Sequence, residues 1–365
     1  MLGKQALPSL KDCRFCSQIS KANGEDPIGT AMTCDHWLVM EIAPPWSHNL
    51  FKADPRIKPL VTLLKTLVIQ KGVKLMIMLI APDAEYSRPG LSRVMYYYRP
   101  AQLFSQFEKQ EFVVPETEVT ALATALLKQL LQQPSDLSRF QPYQQQTDTR
   151  DLMVCTHAQV DLACGRFGTP LYRRLRKEYA PASNGQLRVW QTSHIDGHQF
   201  APTLVDLPEG RFWGHLEPEA LKSLVWRTGT VSNLRQFYRG WAGLGKFEQM
   251  VEREIWMQEG WNWLSYAKSG QILAKDQKGI KLFLYRLLLR IPSKLVQFVV
   301  KELYQKEIKW AKVQIDFMSG DRHIVGTYEA RVEAYKQITT AWDSSQPMKL
   351  KSVKQYQVNC ITKVV

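Results

Sequence analysis

Four side chains that bind soft or borderline metals fall in two tight pairs. Cys155 and Cys164 are separated by eight residues in VCTHAQVDLACG, and His194 and His198 by three in TSHIDGHQF. Two thiols and two imidazoles make a four-ligand set that suits Zn²⁺ or an iron–sulfur cluster. Spacing narrows the choice. A zinc finger brings its cysteines together about two to four residues apart, which this wider gap does not do. A Rieske centre couples each cysteine to a nearby histidine; Cys155-Thr156-His157 imitates one such half, but Cys164 is followed by Gly-Arg-Phe.

The elements that must position these groups read as an α/β arrangement. Each pair lies just past an expected strand, Asp151–Cys155 and Gln186–Thr192, where loops of an α/β sheet build sites. Between the pairs runs a basic amphipathic helix, Thr169–Tyr179. After them come a hairpin, Thr203–Leu207 and Arg211–Leu216 around Pro208-Glu209-Gly210, and a helix, Glu217–Arg227. A similar order precedes this unit: a strand at His36–Ala43 stopped by Pro44 and Pro45, helical spacing over Lys58–Lys71, strands at Val73–Ile80 and Val94–Tyr98, and a helix at Thr117–Gln132. Two units of like order imply an internal pseudo-repeat, without a residue-level match. Pro134–Thr149, rich in Gln, Pro, Ser and Thr, reads as a linker.

The last third differs. Phe247–Ala267 reads as one long helix carrying Trp256, Trp261 and Trp263 into a core, and Gln314–Asp316 with Thr327–Val332 as a hairpin turning at Ser319-Gly320-Asp321. The expected division is an N-terminal α/β region over 1–135, a unit bearing the Cys/His pairs over 150–228, and an α+β region over 229–365.

Composition bounds the function. With 45% hydrophobic and 22% charged residues the chain is a globular protein. No apolar run reaches membrane-spanning length, because Leu282–Ile291 is broken by Arg286 and Arg290, and the N-terminus lacks a secretory apolar region, so a soluble cytoplasmic protein is expected. Six cysteines do not make a disulfide scaffold. The net charge of +14 calls for an anionic partner, and half of it lies in Lys275–Lys312, with ten Lys/Arg against three Asp/Glu. The basic residues form no nucleic-acid module.

The stretches VCTHAQVDLACGRFGTPLY, RVWQTSHIDGHQFAPTLVDLP and GRFWGHL resemble the sucrase/ferredoxin-like family, whose cluster domain is a thioredoxin-like [2Fe-2S] ferredoxin. Looser similarity extends to Cys16-Ser17, Gly29-Thr30-Ala31, Pro45-Trp46 and Tyr238-Arg239-Gly240-Trp241, with a poor fit over Lys275–Lys312. The resemblance implies thioredoxin-like folding and a [2Fe-2S] cluster held by Cys155, Cys164, His194 and His198, His-x₃-His replacing a second cysteine pair. It implies an electron carrier rather than a catalyst. With two thiolates and two neutral imidazoles as ligands, the potential should lie above that of plant-type ferredoxins and fall as pH rises through the imidazole range. A zinc-stabilised interaction module on the same ligands is the alternative, or a thiol–disulfide oxidoreductase on Cys13 and Cys16.

The remaining polar residues have plainer expectations. Cys13, Cys16 and Cys34 read as structural thiols, His157 as a loop histidine capping its turn, His215 as packed, and Asp161 as a helix cap. Gly197 should permit a positive φ between the two histidines. Arg173, Arg174, Arg176 and Lys177 could dock an acidic electron-transfer partner.

Overall fold

Runs such as HWLVME and RDLMVC, apolar at successive positions, belong to strands covered on both faces. In the computed structural model, which describes residues 15–276 and 308–364, they are central strands of one ten-stranded mixed sheet. The chain enters through helix α1 (Cys16–Ala22) and strand β1 (His36–Glu41), then a single turn, α2 (Leu50–Ala53), and α3 (Val61–Lys65), prolonged by a π turn to Gln70. It continues through β2 (Leu75–Ile80), β3 (Leu91–Tyr98), β4 (Glu108–Pro115) and α4 (Val119–Leu130). After β5 (Gln144–Gln145) come β6 (Arg150–Cys155), α5 (Leu162–Arg174), β7 (Leu187–Thr192), β8 (Leu204–Leu207), β9 (Arg211–Trp213), α6 (Pro218–Trp226) and β10 (Tyr238–Trp241).

The pseudo-repeat is present in the pairing. In the first unit β1 is parallel to β2 and antiparallel to β3, which pairs with β4, giving the spatial order β2-β1-β3-β4. In the second, β6 is parallel to β7 and antiparallel to β8, which pairs with β9, giving β7-β6-β8-β9. Both are the order of a thioredoxin-like unit. The units join antiparallel through their second strands, Ile80 opposite Thr192. Alternation along β1 sends Leu38 and Met40 toward α3 and α4, and Trp37 and Val39 into a larger core with Leu152, Val154 and Val189.

A buried ion network spans the two units. Arg188 on β7 bonds Asp151 on β6 (2.8 Å) and Glu111 on β4 (2.7 Å), and Lys109 and Arg93 also reach Glu111. Burial alone would raise the Glu111 pKa, but the Arg188 guanidinium, with Lys109 and Arg93, holds that carboxyl well below its usual range.

Several sequence expectations are corrected. Strand β4 was not foreseen. The stretch expected as a linker is packed: a 3₁₀ segment over Leu137–Tyr143 buries Phe140, β5 pairs with β4, and Thr147 bonds Glu111. Helix α5 begins at Leu162, where the cap expected at Asp161 puts it and seven residues ahead of the Thr169–Tyr179 stretch. The Trp-bearing helix is shorter, because α7 (Lys246–Glu259) stops at Gly260 with φ +73° and a 3₁₀ turn over Gly260–Ser265 follows. Trp256 and Trp263 are fully buried.

In place of a lone hairpin, β11 (Ala267–Lys275), β12 (Trp310–Met318), β13 (Val325–Ala341) and β14 (Leu350–Val364) form a four-stranded antiparallel sheet. Lys268 on β11 bridges to Phe104, joining it to the first unit, and β10, from the expected C-terminal region, edges the large sheet. Most of the basic segment from Lys275 to Lys312, together with Cys13, lies outside the described residues. Among the described residues no helix is long and apolar enough to cross a membrane.

Candidate metal centre

Cys155 is the last residue of β6, fully buried. Asp161 caps α5, accepting the Ala163 N–H at 2.8 Å, and so sets the turn that carries Cys164. Helix α5 lies against the end of β6 because residue 168 is glycine: a Cβ there would stand 1.9 Å from the Cys155 carbonyl oxygen. The histidines follow β7. Asp196 (φ +66°) and Gly197 (φ +77°) both take left-handed conformations, turning the chain so that the His194 and His198 rings lie 5.6 Å apart between centroids.

His194 Nδ1 sits 3.9 Å from Cys155 Sγ and 3.8 Å from Cys164 Sγ, and these three donors converge within 4.8 Å of one another. The fourth expected ligand is adjacent but engaged elsewhere. His198 Nδ1 stands 3.4 Å from Cys16 Sγ and 3.4 Å from Asp161 Oδ2, in a second compact group of Cys16, Asp161 and His198. Three of the expected residues thus share one constellation, and the His198 ring joins it to a second.

Electrostatics mark the first group as metal-seeking. The Cys164 thiol beside it, and then His194, hold the Cys155 pKa well below the usual thiol value, while Cys164, next to that thiolate and buried, is pushed well above. Burial lowers His194, but Cys155 outweighs it and the net shift is upward. Binding a thiophilic metal here would displace protons from these thiols and the imidazole. The donor set is sulfur and nitrogen without a hard oxygen ligand, and therefore fits an iron–sulfur cluster or zinc. Burial and the neighbouring His194 lower His198.

Other residues frame the centre. Arg239 is fully buried; its guanidinium donates to Thr30 O (2.8 Å), Thr30 Oγ1 (3.1 Å) and Asp196 O (3.0 Å), while its carbonyl accepts the N–H groups of Gly29, Thr30 and Ala31. The Gly29-Thr30-Ala31 and Tyr238-Arg239-Gly240-Trp241 stretches are therefore one clamp on the histidine loop. Burial lowers the Arg239 pKa, and Asp196 and both site cysteines favour its charge. His157 does more than cap a turn. Its Nε2 donates to Trp46 O (2.8 Å), leaving Nδ1 to accept the His194 N–H (3.3 Å). His215 is packed, as expected, against Phe200 and Ser20, and burial takes its pKa down to about 3.

Two contributors were missed. Cys16, expected as a structural thiol, lies beside His198, with burial raising its pKa to about 12. Its sequence signals were the Cys16-Ser17 similarity and the Cys13-x-x-Cys16 spacing, neither of which pointed to His198. Ser344, from the loop between β13 and β14, donates its hydroxyl to Asp161 Oδ1 (2.7 Å) and its N–H to Asp161 Oδ2 (2.8 Å), and accepts the Cys16 N–H (3.1 Å). No sequence signal pointed to it. Of the expected docking cations, Arg176 is held by Asp83 and Glu85, and Arg174 by Glu178.

Comparison with known proteins gives two similarities. A family profile described as Sucrase/ferredoxin-like matches residues 27–240, more than half of the chain. A solved structure described as a thioredoxin-like [2Fe-2S] ferredoxin from Aquifex aeolicus is similar over 24% of this chain and 90% of its own, at 18% identity and a TM-score of 0.21. No curated protein matches the chain.

Proposed function

The chain belongs to the sucrase/ferredoxin-like family, and we propose that it is a one-electron carrier in which Cys155, Cys164, His194 and His198 hold a [2Fe-2S] cluster. The observation that carries this reading is the convergence of two buried thiols and an imidazole from the end of β6, the first turn of α5 and the loop after β7, with a second imidazole at 5.6 Å. A bound [2Fe-2S] cluster would accept and return one electron. The thiolates of Cys155 and Cys164 would balance its two positive charges and neutral His194 and His198 would add none, leaving a near-neutral oxidised site. The potential should then exceed that of a four-cysteine site, and buried Arg239 raises it further. The ring nitrogen of each histidine that does not face the cluster can hold a proton, more readily after reduction, which makes the potential fall with rising pH.

The rest of the chain positions and shields these ligands. Gly168 lets α5 close on β6, Arg239 clamps the histidine loop, and His157 fixes the His194 backbone. A thiol–disulfide activity at Cys16 has the chemistry against it, since a catalytic thiol needs a depressed pKa and this one is raised to about 12.

Anaerobic purification followed by iron, acid-labile sulfide and visible absorption tests the proposal. The expected product is red-brown with roughly two iron and two sulfide per chain. A colourless protein with one zinc overturns it. Replacing both His194 and His198 with cysteine should retain the cluster and lower its potential.

A further inference from the structure

A second group of donors stands beside the converging thiols: Cys16, Asp161 and His198, all within 4.8 Å of one another. Such a triad could hold an ion of its own, but the bonds of Asp161 decide otherwise. Its Oδ1 accepts the Ala163 N–H at 2.8 Å and the Ser344 hydroxyl at 2.7 Å, and its Oδ2 accepts the Ser344 N–H at 2.8 Å. The side chain is 2% exposed. A buried carboxylate that already takes three protein donors offers a cation little, yet its Oδ2 can accept one more N–H. What stands beside it is His198 Nδ1, 3.4 Å from Oδ2 and 3.4 Å from Cys16 Sγ.

Those neighbours fix the tautomer of the His198 ring. A carboxylate only accepts, so the nitrogen turned to Asp161 is the protonated one, and Nε2 keeps the lone pair that a metal needs. His194 is turned the other way. Its Nδ1 faces the thiols, 3.9 Å from Cys155 Sγ and 3.8 Å from Cys164 Sγ. The loop accounts for the difference. His194 is pinned through its N–H to His157, the chain reverses at Asp196 and Gly197 through left-handed conformations, and His198 opens a 3₁₀ turn packed on α1, where Cys16 lies.

We infer that Asp161 is a positioning residue of the centre: it holds the His198 Nδ1–H, so that His198 would bind iron through Nε2 while His194 binds through Nδ1. This rests on reading the centre as a cluster site. Ser344, in the loop between β13 and β14, fixes the carboxylate with two bonds, and so the second sheet sets the orientation of one ligand. The carboxylate makes Nε2 a stronger donor, and its negative charge opposes an added electron; both lower the potential.

Full-length protein made with histidine carrying ¹⁵N at δ1 only, or at ε2 only, tests the assignment. Reduced and loaded with its cluster, it should show by pulsed electron paramagnetic resonance one strongly coupled ¹⁵N with either label. Two with one label and none with the other overturn the assignment. In His194→Cys the remaining coupling should follow the ε2 label, and in His198→Cys the δ1 label; the opposite pattern overturns it as well. Asp161→Asn keeps an oxygen at Oδ1 but puts an NH₂ group at Oδ2, toward His198, and should raise the midpoint potential at constant pH. Ser344→Ala, which removes one bond to the carboxylate and keeps its charge, should raise it by less. No shift in Asp161→Asn, or an equal shift in Ser344→Ala, overturns the positioning role. Iron and sulfide analysis of wild type separates the two claims: a preparation without cluster overturns the carrier reading and this inference with it, and a cluster with δ1 coupling from both rings overturns only the inference.

Discussion

Lys268 sits at the seam between the two sheets, fully buried, and its removal should stabilise the protein in a pH-dependent way. Its Nζ donates to Tyr266 O at 2.6 Å and stands 4.9 Å over the Trp241 ring and 5.4 Å over the Trp263 ring. Burial, and then repulsion from Arg211, take its pKa from 10.5 to about 7. A shift of that size corresponds to roughly 5 kcal/mol, at about 1.4 kcal/mol per unit, as an upper bound. Between pH 7 and 10.5 the unfolded lysine keeps a proton that the folded one has shed. Unfolding then takes up a proton, and stability rises with pH across that window. Below pH 7 the full penalty applies, and above 10.5 none remains. Lys268→Met abolishes the penalty but loses the hydrogen bond and the ring contacts, each about 1 kcal/mol. The variant should therefore gain roughly 2–4 kcal/mol near pH 7 and lose that advantage by pH 10. Urea titrations followed by tryptophan fluorescence at a series of pH values between these limits give the difference directly. A difference that does not change with pH, or a less stable variant at pH 7, refutes the reasoning.

Two further perturbations address the centre. Gly197→Ala places a Cβ 2.4 Å from the Arg239 guanidinium at φ +77°, and should cost about 2–4 kcal/mol with loss of bound iron; a thermal midpoint unchanged from wild type would show that the histidine loop is not clamped as described. Asp161→Ala removes the α5 cap and leaves the Ser344 hydroxyl and N–H without acceptors, at roughly 2–4 kcal/mol together. Asp161→Asn keeps one acceptor oxygen for the Ala163 N–H and the Ser344 hydroxyl but turns an NH2 donor toward the Ser344 N–H, so it should recover only part of that midpoint, and equal losses in the two variants would contradict the network.

The cysteine and histidine pairs stood out because their spacing is local: each adjoins a strand whose apolar run is visible in a few residues. The thioredoxin-like order of both units was legible for the same reason. Strand β4 was not, since EKQEFVVP mixes exposed charge with apolar residues at one end only. The first turns of α5 had only the Asp161 cap as a signal, because Gly165, Gly168 and Pro170 locally argue against a helix; Gly168 is required there by its close approach to the end of β6.

Contacts between distant segments were decided only in three dimensions. The fusion of the two units through β2 and β7 depends on which sheet edges meet, a choice that strand periodicity does not encode. Cys16 reaches Asp161 across 145 residues and Ser344 across 328, and Arg239 reaches Thr30 across 209. Composition and spacing along the chain thus determined which groups can bind a metal and which strands carry them. Tertiary packing decided which buried charges and hydroxyls surround those groups, because a hydrogen bond between remote loops leaves no periodic trace in the sequence.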